Sequence, residues 1–306
     1  MVEAYRTQEL SYKEVYNNIV NGTAKYMVDN GIKCMVLGIS GGIDSTVCAA
    51  ICHAVYKKTG IPLIGVSMPC TTNKEDEVSA ASQVGKEFCN EFKEVNLQSA
   101  FEVMEHFCKE SSGLDSTPIS QGNIKARLRM ITLYDIASKM GGIVIDTDNL
   151  TEAYQGFFTV HGDTCDFNPI GGLWKHEVYE LANYINVWET ENYPSKALEA
   201  SIALMPTDGN GVKDGGDLAQ IAPGKTYNDV DEILHAWVGL DSRIKEDVIK
   251  SDFECGMFKH LSNKHGKDIV KGVIMCSIKS EFKRRQLPIV VDIFRGNLME
   301  KNGKLI

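Results

Sequence analysis

Residues 34–45 read Cys34-Met35-Val36-Leu37-Gly38-Ile39-Ser40-Gly41-Gly42-Ile43-Asp44-Ser45, followed by Thr46 and an alanine-rich stretch. An apolar run entering a glycine pair and leaving in a helical pattern predicts a strand, a sharp turn and a helix. Glycines let the chain turn tightly and let backbone N–H groups approach a ligand. The helix start adds about half a positive charge. Ser40, Ser45 and Thr46 supply hydroxyls, so the segment reads as an anion site. Asp44 places a carboxylate in that site, which is sensible chemistry when a divalent cation bridges it to the anion. No Lys follows the second glycine, so the loop is not the common Lys-bearing phosphate loop. It also lacks G-x-G-x-x-G, so it is not a dinucleotide fingerprint.

Outward from the loop, strands and helices alternate. Residues 1–32 read as helical, with Tyr12, Val15, Tyr16, Ile19 and Val20 at helix spacing. Strands are predicted at Cys34–Ile39, Leu63–Met68, Phe92–Leu97 and Ile143–Ile145. Helices are predicted at about Ser45–Lys57 and Lys74–Cys89. This alternation predicts an α/β fold, a doubly wound parallel sheet flanked by helices. Ligands of such sheets sit beyond the carboxyl ends of the strands, near a topological switch point. The Ser-Gly-Gly loop and the segment after Ile145 both lie there. Residues 206–225, glycine- and charge-rich, read as a mobile loop.

Composition narrows the class. The chain has 306 residues, 43% of them hydrophobic, and no stretch near the roughly 20 apolar residues of a membrane span. The N-terminus lacks a basic-then-apolar signal pattern, so a cytoplasmic location is expected. Nine cysteines at irregular spacing, without a Cys-x-x-Cys pair, indicate neither a disulfide framework nor a zinc site. A formal net charge of −9 argues against nucleic acid as a partner.

A second set of chemistry-bearing residues lies downstream. In Gln121-Gly122-Asn123-Ile124-Lys125-Ala126-Arg127-Leu128-Arg129, the apolar Ile124 and Leu128 share a helix face with Ile131. Arg127 flanks that face and is the candidate to reach inward; Arg129 points nearly opposite and reads as a surface charge. In Ile145-Asp146-Thr147-Asp148-Asn149-Leu150-Thr151-Glu152, Thr147 offers a hydroxyl to a purine edge or phosphate. Glu152 is placed to join Asp44 in holding a cation through oxygen ligands, the habit of Mg²⁺. Then follow Gly156-Phe157-Phe158-Thr159, Gly162-Asp163, Asp166-Phe167-Asn168, Lys175-x-x-Val178, Pro206-Thr207 and Lys283-Arg284-Arg285.

The Ser-Gly-Gly-x-Asp-Ser loop resembles the pyrophosphate loop of the ATP pyrophosphatases. With the ordered motifs after it, the chain resembles the ammonia-dependent NAD synthetases from about residue 15 to 290. The resemblance implies a Rossmann-like ATP pyrophosphatase fold in one domain over residues 1–306, without a glutaminase domain. It implies a ligase forming a C–N bond: ATP adenylates the carboxylate of deamido-NAD, and ammonia then gives NAD, AMP and pyrophosphate. Carried over by residue, Gly38, Ile39, Ser40, Gly41, Gly42, Ile43, Asp44 and Ser45 would cradle ATP. Thr147, Lys175 and Thr207 would contact it. Asp44 and Glu152 would hold Mg²⁺, with Asp44 and Lys175 central to catalysis. Arg127, Asp166 and Lys283 would contact deamido-NAD, and the loop holding Thr207 would close as a lid. A homodimer with substrate across its interface is the family's habit.

The departures fall on the acid-substrate side. Val160 stands where relatives carry a Lys, Phe282 where they carry a His, and Asp146 where they carry a Gly. The run from Gly162 to Asp166 is one residue short. Competing readings are another pyrophosphatase-type amidase, an RNA-thiolating enzyme, and a nucleotide-binding sensor with impaired catalysis. RNA thiolation would favour basic surfaces, which the charge opposes. Because 33 residues precede the first strand, free ammonia or a separate donor is the expected nitrogen source.

Overall fold

Met35, Val36 and Leu37 are completely buried at the centre of a parallel sheet, with side chains alternating between its two faces. Met35 and Leu37 enter a core shared with the helices on one face; Cys34 and Val36 enter a second core on the other. Both faces are covered, which is why these strands read as continuous apolar runs. The computed structural model describes residues 11–191, 193–204, 216–284, 289–291 and 298–300.

The elements in chain order are α1 (Tyr12–Asp29), β1 (Met35–Gly38), α2 (Ile43–Thr59), β2 (Leu63–Ser67), α3 (Glu75–Phe88) and β3 (Glu91–Glu94). After these come α4 (Gln98–Ser112), α5 (Pro118–Met140), β4 (Ile143–Ile145), α6 (Leu150–Gln155), α7 (Lys175–Trp188) and α8 (Lys196–Ala203). The remainder holds α9 (Gly216–Ile221), α10 (Tyr227–Val238), α11 (Ser242–Lys250), α12 (Gly256–His265) and α13 (Lys267–Lys279). A 3₁₀ turn over Glu281–Arg284 and an antiparallel pair, β5 (Ile289–Val291) with β6 (Leu298–Glu300), follow.

The sheet order is β3-β2-β1-β4, all parallel. The chain steps outward from β1 to β3, then crosses back to place β4 on the other side of β1. The switch point therefore lies between the carboxyl ends of β1 and β4. A parallel bridge from Ile145 to Phe167 extends the sheet beyond β4. A separate apolar cluster, built from α10, α12 and α13, takes in Leu150 of α6 and Trp174 just before α7. It backs the two helices that begin at the switch point.

Three sequence readings shift. The first α/β helix starts at Ile43, two residues earlier than predicted, because Gly42 already has extended N-cap geometry. The third strand is Glu91–Glu94 rather than Phe92–Leu97; Val95 and Leu97 still donate to Ser67 and Pro69 carbonyls, but Leu97 is already turning into α4. The 206–225 segment, read as a loop, contains helix α9, whose Leu218 and Ile221 pack on the α10–α13 cluster. Thr207 and the rest of 206–215 lie outside the described residues.

Candidate active site

The β1–α2 turn is fixed by its own side chains. Gly41 has φ +85°, and a Cβ there would lie 2.5 Å from the Glu77 carbonyl oxygen and 2.8 Å from the Ala81 nitrogen, so only glycine fits. Ser40 Oγ accepts from the Gly42 N–H (3.2 Å) and lies 3.1 Å from Ser45 Oγ. The Thr46 hydroxyl turns away from any ligand: it donates to the Gly42 carbonyl (2.9 Å) and meets Ser201 of α8, fully buried. Ser201 in turn donates to the Gly41 carbonyl (3.0 Å), bracing the turn from behind.

Asp44 follows in the first turn of α2. Across the switch point, Asn149 caps α6 through a reciprocal box with Glu152. The Glu152 N–H donates to Asn149 Oδ1 (3.0 Å), and the Asn149 N–H donates to Glu152 Oε2 (3.1 Å). Asn149 Nδ2 donates to Asp44 Oδ1 (2.9 Å). Lys175, at the start of α7, sends its ammonium to Asp44 Oδ2 and to Glu152 Oε1 (3.1 Å). The side chains of Lys175, Asp44 and Glu152 are 5%, 17% and 24% exposed, so the triad is largely withdrawn from water.

Burial disfavours the Lys175 charge, but Asp44 and Glu152 outweigh it and hold its pKa well above the usual value. Burial, with Asp44 adding to it, raises the Glu152 carboxyl to about 7 against the opposing pull of Lys175 and the Asn149 N–H. Asp148 is pushed well above the usual carboxylate range, by burial first and then by Asp146, Glu152 and their neighbours.

A second clamp sets the Lys175 backbone. Asp231 of α10, 1% exposed, accepts from the Thr151 hydroxyl, the His176 N–H (3.0 Å) and His176 Nδ1 (2.8 Å). Thr151 Oγ1 accepts from the Lys175 N–H (2.9 Å). One buried carboxylate thus ties α6, α7 and α10 together.

These groups border a cavity of about 350 Å³ at the carboxyl end of the sheet. Gly38, Ile39, Ser40, Asp44, Ser45, Thr147 and Glu152 line it as the sequence predicts, whereas Gly41, Gly42 and Ile43 make the turn without bordering it. Lys175 reaches the same place through its two carboxylates. Three candidates are placed elsewhere. Arg127 is exposed, and its guanidinium donates to the Val160 carbonyl (3.2 Å); Arg129 lines the cavity instead, anchored on the Met68 carbonyl (3.2 Å). The reason is that α5 buries the stripe Gly122, Lys125, Ala126, Leu133 and Ala137, with Arg129 in register, while Ile131 is 55% exposed. The inward face mixes small residues with Lys125 and Leu133, so the Ile124–Leu128–Ile131 spacing did not mark it.

Asp166 accepts from the Tyr134 hydroxyl (3.0 Å) and the Val144 N–H (2.9 Å), pinning its segment to β4; Asp163 borders the cavity in its place. Lys283 donates to the Gly156 (2.6 Å) and Phe158 (2.8 Å) carbonyls. The reading missed Arg129, Asp148, Asp163 and Asp231. It also gave no role to Asp146, which accepts from the Asp148 N–H (2.7 Å), the Cys165 N–H (2.7 Å) and Asn168 Nδ2 (2.9 Å).

An anion entering this cavity meets Asp44, Glu152, Asp148 and Asp163, so it needs cations. Among the described residues no group of three or more His, Cys, Asp or Glu side chains forms a metal cage. Two converging carboxylates fit Mg²⁺, which completes its shell with phosphate oxygens and water.

Comparison with known proteins agrees with this geometry. A profile of the NAD synthase family matches residues 15–287. The NH3-dependent NAD(+) synthetase of Campylobacter jejuni is 33% identical over 239 residues, covering 78% of this chain and 87% of the relative. That of Fusobacterium nucleatum is 27% identical over 94% of this chain and 98% of the relative. Among solved structures, an NMN synthetase from Francisella tularensis superposes with TM-score 0.71 at 25% identity, over 93% of this chain and 100% of its own. The C. jejuni NH3-dependent NAD synthetase, in complex with nitrate ion, superposes with TM-score 0.64 at 25% identity, over 92% and 100%. The α/β fold is that of the ATP pyrophosphatases.

The raised Glu152 pKa has a consequence for stability. Between about pH 4.5 and 7 the folded carboxyl keeps a proton that the unfolded chain releases, so this group makes stability fall as pH rises through that window. The melting temperature of Glu152→Gln relative to the parent should therefore grow more favourable from pH 5 to pH 8. A difference that is flat with pH in thermal denaturation would show that Glu152 titrates normally.

Proposed function

Because the chain belongs to the NAD synthase family, we propose that it amidates deamido-NAD with ammonia, consuming ATP and releasing AMP and pyrophosphate. The observation that carries this reading is the convergence of Asp44, Glu152 and Lys175 on a Ser-Gly-Gly turn at the β1/β4 switch point.

The triphosphate of ATP lies against the β1–α2 turn, where the start of α2 favours negative charge. Lys175 and Arg129 supply positive side-chain charge. The nicotinate carboxylate attacks the α-phosphorus, the bond to the β-phosphate oxygen breaks, and pyrophosphate leaves. Ammonia then attacks the acyl carbonyl of the adenylate, loses a proton, and displaces AMP. The chain's own work is to bring two anions together and neutralise them. Asp44 and Glu152 would hold Mg²⁺, which when bound offsets charge on the departing phosphates. Thr147 borders the cavity and supports the nucleotide assignment; Thr207 is assigned to ATP on the resemblance alone.

Two further parts belong to this reading. The exposed apolar side chains Val103, Phe107, Leu114, Ile119 and Ile131 on and between α4 and α5 support a homodimer through that face; sedimentation should give a two-chain mass, reduced by Phe107→Glu. All nine cysteines are free thiols, which supports a reducing, cytoplasmic compartment.

A second acid has a specific observation in its favour. The F. tularensis relative is an NMN synthetase, and Lys283, expected at the acid substrate, is bonded to backbone carbonyls. The deciding assay supplies ATP, Mg²⁺ and ammonium with either deamido-NAD or the corresponding acid mononucleotide, and follows AMP, pyrophosphate and amide. Turnover of deamido-NAD with the higher kcat/KM is expected. Preference for the mononucleotide keeps the mechanism and changes the substrate, and release of ADP with phosphate would overturn the pyrophosphatase chemistry.

Arg129 and Arg127 should separate cleanly in that assay. Loss of a charged hydrogen bond is worth about 1.5–3 kcal/mol, so Arg129→Ala should raise the KM for ATP about tenfold or more. Arg127→Ala should leave it within about twofold. Equal effects would mean that the cavity wall is misassigned.

A further inference from the structure

The four carboxylate oxygens of Asp44 and Glu152 are all engaged. Asp44 Oδ1 accepts from Asn149 Nδ2, and Glu152 Oε2 accepts from the Asn149 N–H. The remaining pair, Asp44 Oδ2 and Glu152 Oε1, is bridged by the Lys175 ammonium. Asn149 is completely buried and holds its two oxygens from the helix cap. The oxygens that face a common point are therefore the two that Lys175 occupies.

We infer that Lys175 fills the metal position until nucleotide arrives, so that the divalent cation enters together with ATP rather than ahead of it. This rests on the assignment of Asp44 and Glu152 as metal ligands. A dication placed between those oxygens must displace the ammonium. Lys175 is 5% exposed, and an ammonium pushed off Asp44 and Glu152 beside a dication loses the counter-charges that hold it buried. A phosphate oxygen of ATP supplies that counter-charge, so release of Lys175 and entry of the metal are coupled through the nucleotide. In the absence of nucleotide, Lys175 also keeps the two carboxylates from repelling each other, and the site persists without metal.

The test measures Mn²⁺ binding by electron paramagnetic resonance, with no turnover required. Wild-type protein without nucleotide should bind Mn²⁺ at least tenfold more weakly than with α,β-methylene-ATP. Lys175→Met without nucleotide should bind Mn²⁺ at least tenfold more tightly than wild type without nucleotide, and adding Asp44→Asn should abolish the gain. Lys175→Gln serves for the same comparison if the Met variant does not fold, and the two wild-type measurements need no variant. Wild type binding Mn²⁺ without nucleotide as tightly as the Lys175 variant would overturn the inference while leaving the metal ligands in place. Failure of every form to bind Mn²⁺, with or without nucleotide, would overturn the metal assignment itself.

Discussion

The lysine ammonium held between two largely buried carboxylates is not made by one stretch of chain. Asp44 comes from the start of α2, Glu152 from α6 and Lys175 from α7, and the three helices begin around the same switch point. Removing Lys175 leaves two largely buried carboxylates facing each other without a cation, a cost of about 3–5 kcal/mol when one partner of a buried pair is lost. The surrounding order follows from that constraint. Asn149 holds both carboxylates, Asp231 fixes the backbone where Lys175 departs, and Ser201 fixes the turn from which Asp44 projects. The α10–α13 cluster, remote from the sheet, matters because it carries Asp231 to the start of α7.

The sheet was legible because a strand buried on both faces cannot disguise itself. Runs such as Met35–Leu37 and Leu63–Val66 are apolar on consecutive residues, and the glycines that follow β1 can only turn. Asp44 and Glu152 were legible for a different reason: a glycine turn and a strand end mark where a ligand can sit on such a sheet, whereas Lys175 was reached only through the family resemblance. Arg129 was not legible, because its helix buries Gly122, Ala126 and Ala137 and leaves Ile131 in solvent. On α5 Leu133 and Ala137 enter the sheet-side core and Leu128 and Ile136 pack partly against it, so the apolar positions spread round the helix and do not single out the arc that holds Arg129. Asp166 and Lys283 show a related limit. A side chain's charge is visible in sequence, but whether a nearby backbone group has already claimed it is not.

Asp146 illustrates how a departure from a family pattern acquires a physical reason. A carboxylate at this position, 3% exposed, accepts hydrogen bonds from residues 148, 165 and 168. It joins the turn after β4 to the segment that carries Asp163, and so shapes one wall of the cavity without bordering it. Burial raises its pKa although three N–H donors favour the charged form.

The six-residue helix α6, which carries Glu152, is satisfied at its far end by residues more than a hundred positions later. Arg284 donates to the Ala153 and Tyr154 carbonyls, Ser280 to Tyr154, and Lys283 to Gly156 and Phe158. So short a helix is marginal by itself. Residues 280–284 therefore set the backbone that positions Glu152, although none of them borders the cavity. A substitution at Ser280 or Arg284 acts on the carboxylate from a distance, through the carbonyls of Ala153 and Tyr154 that it leaves unpaired.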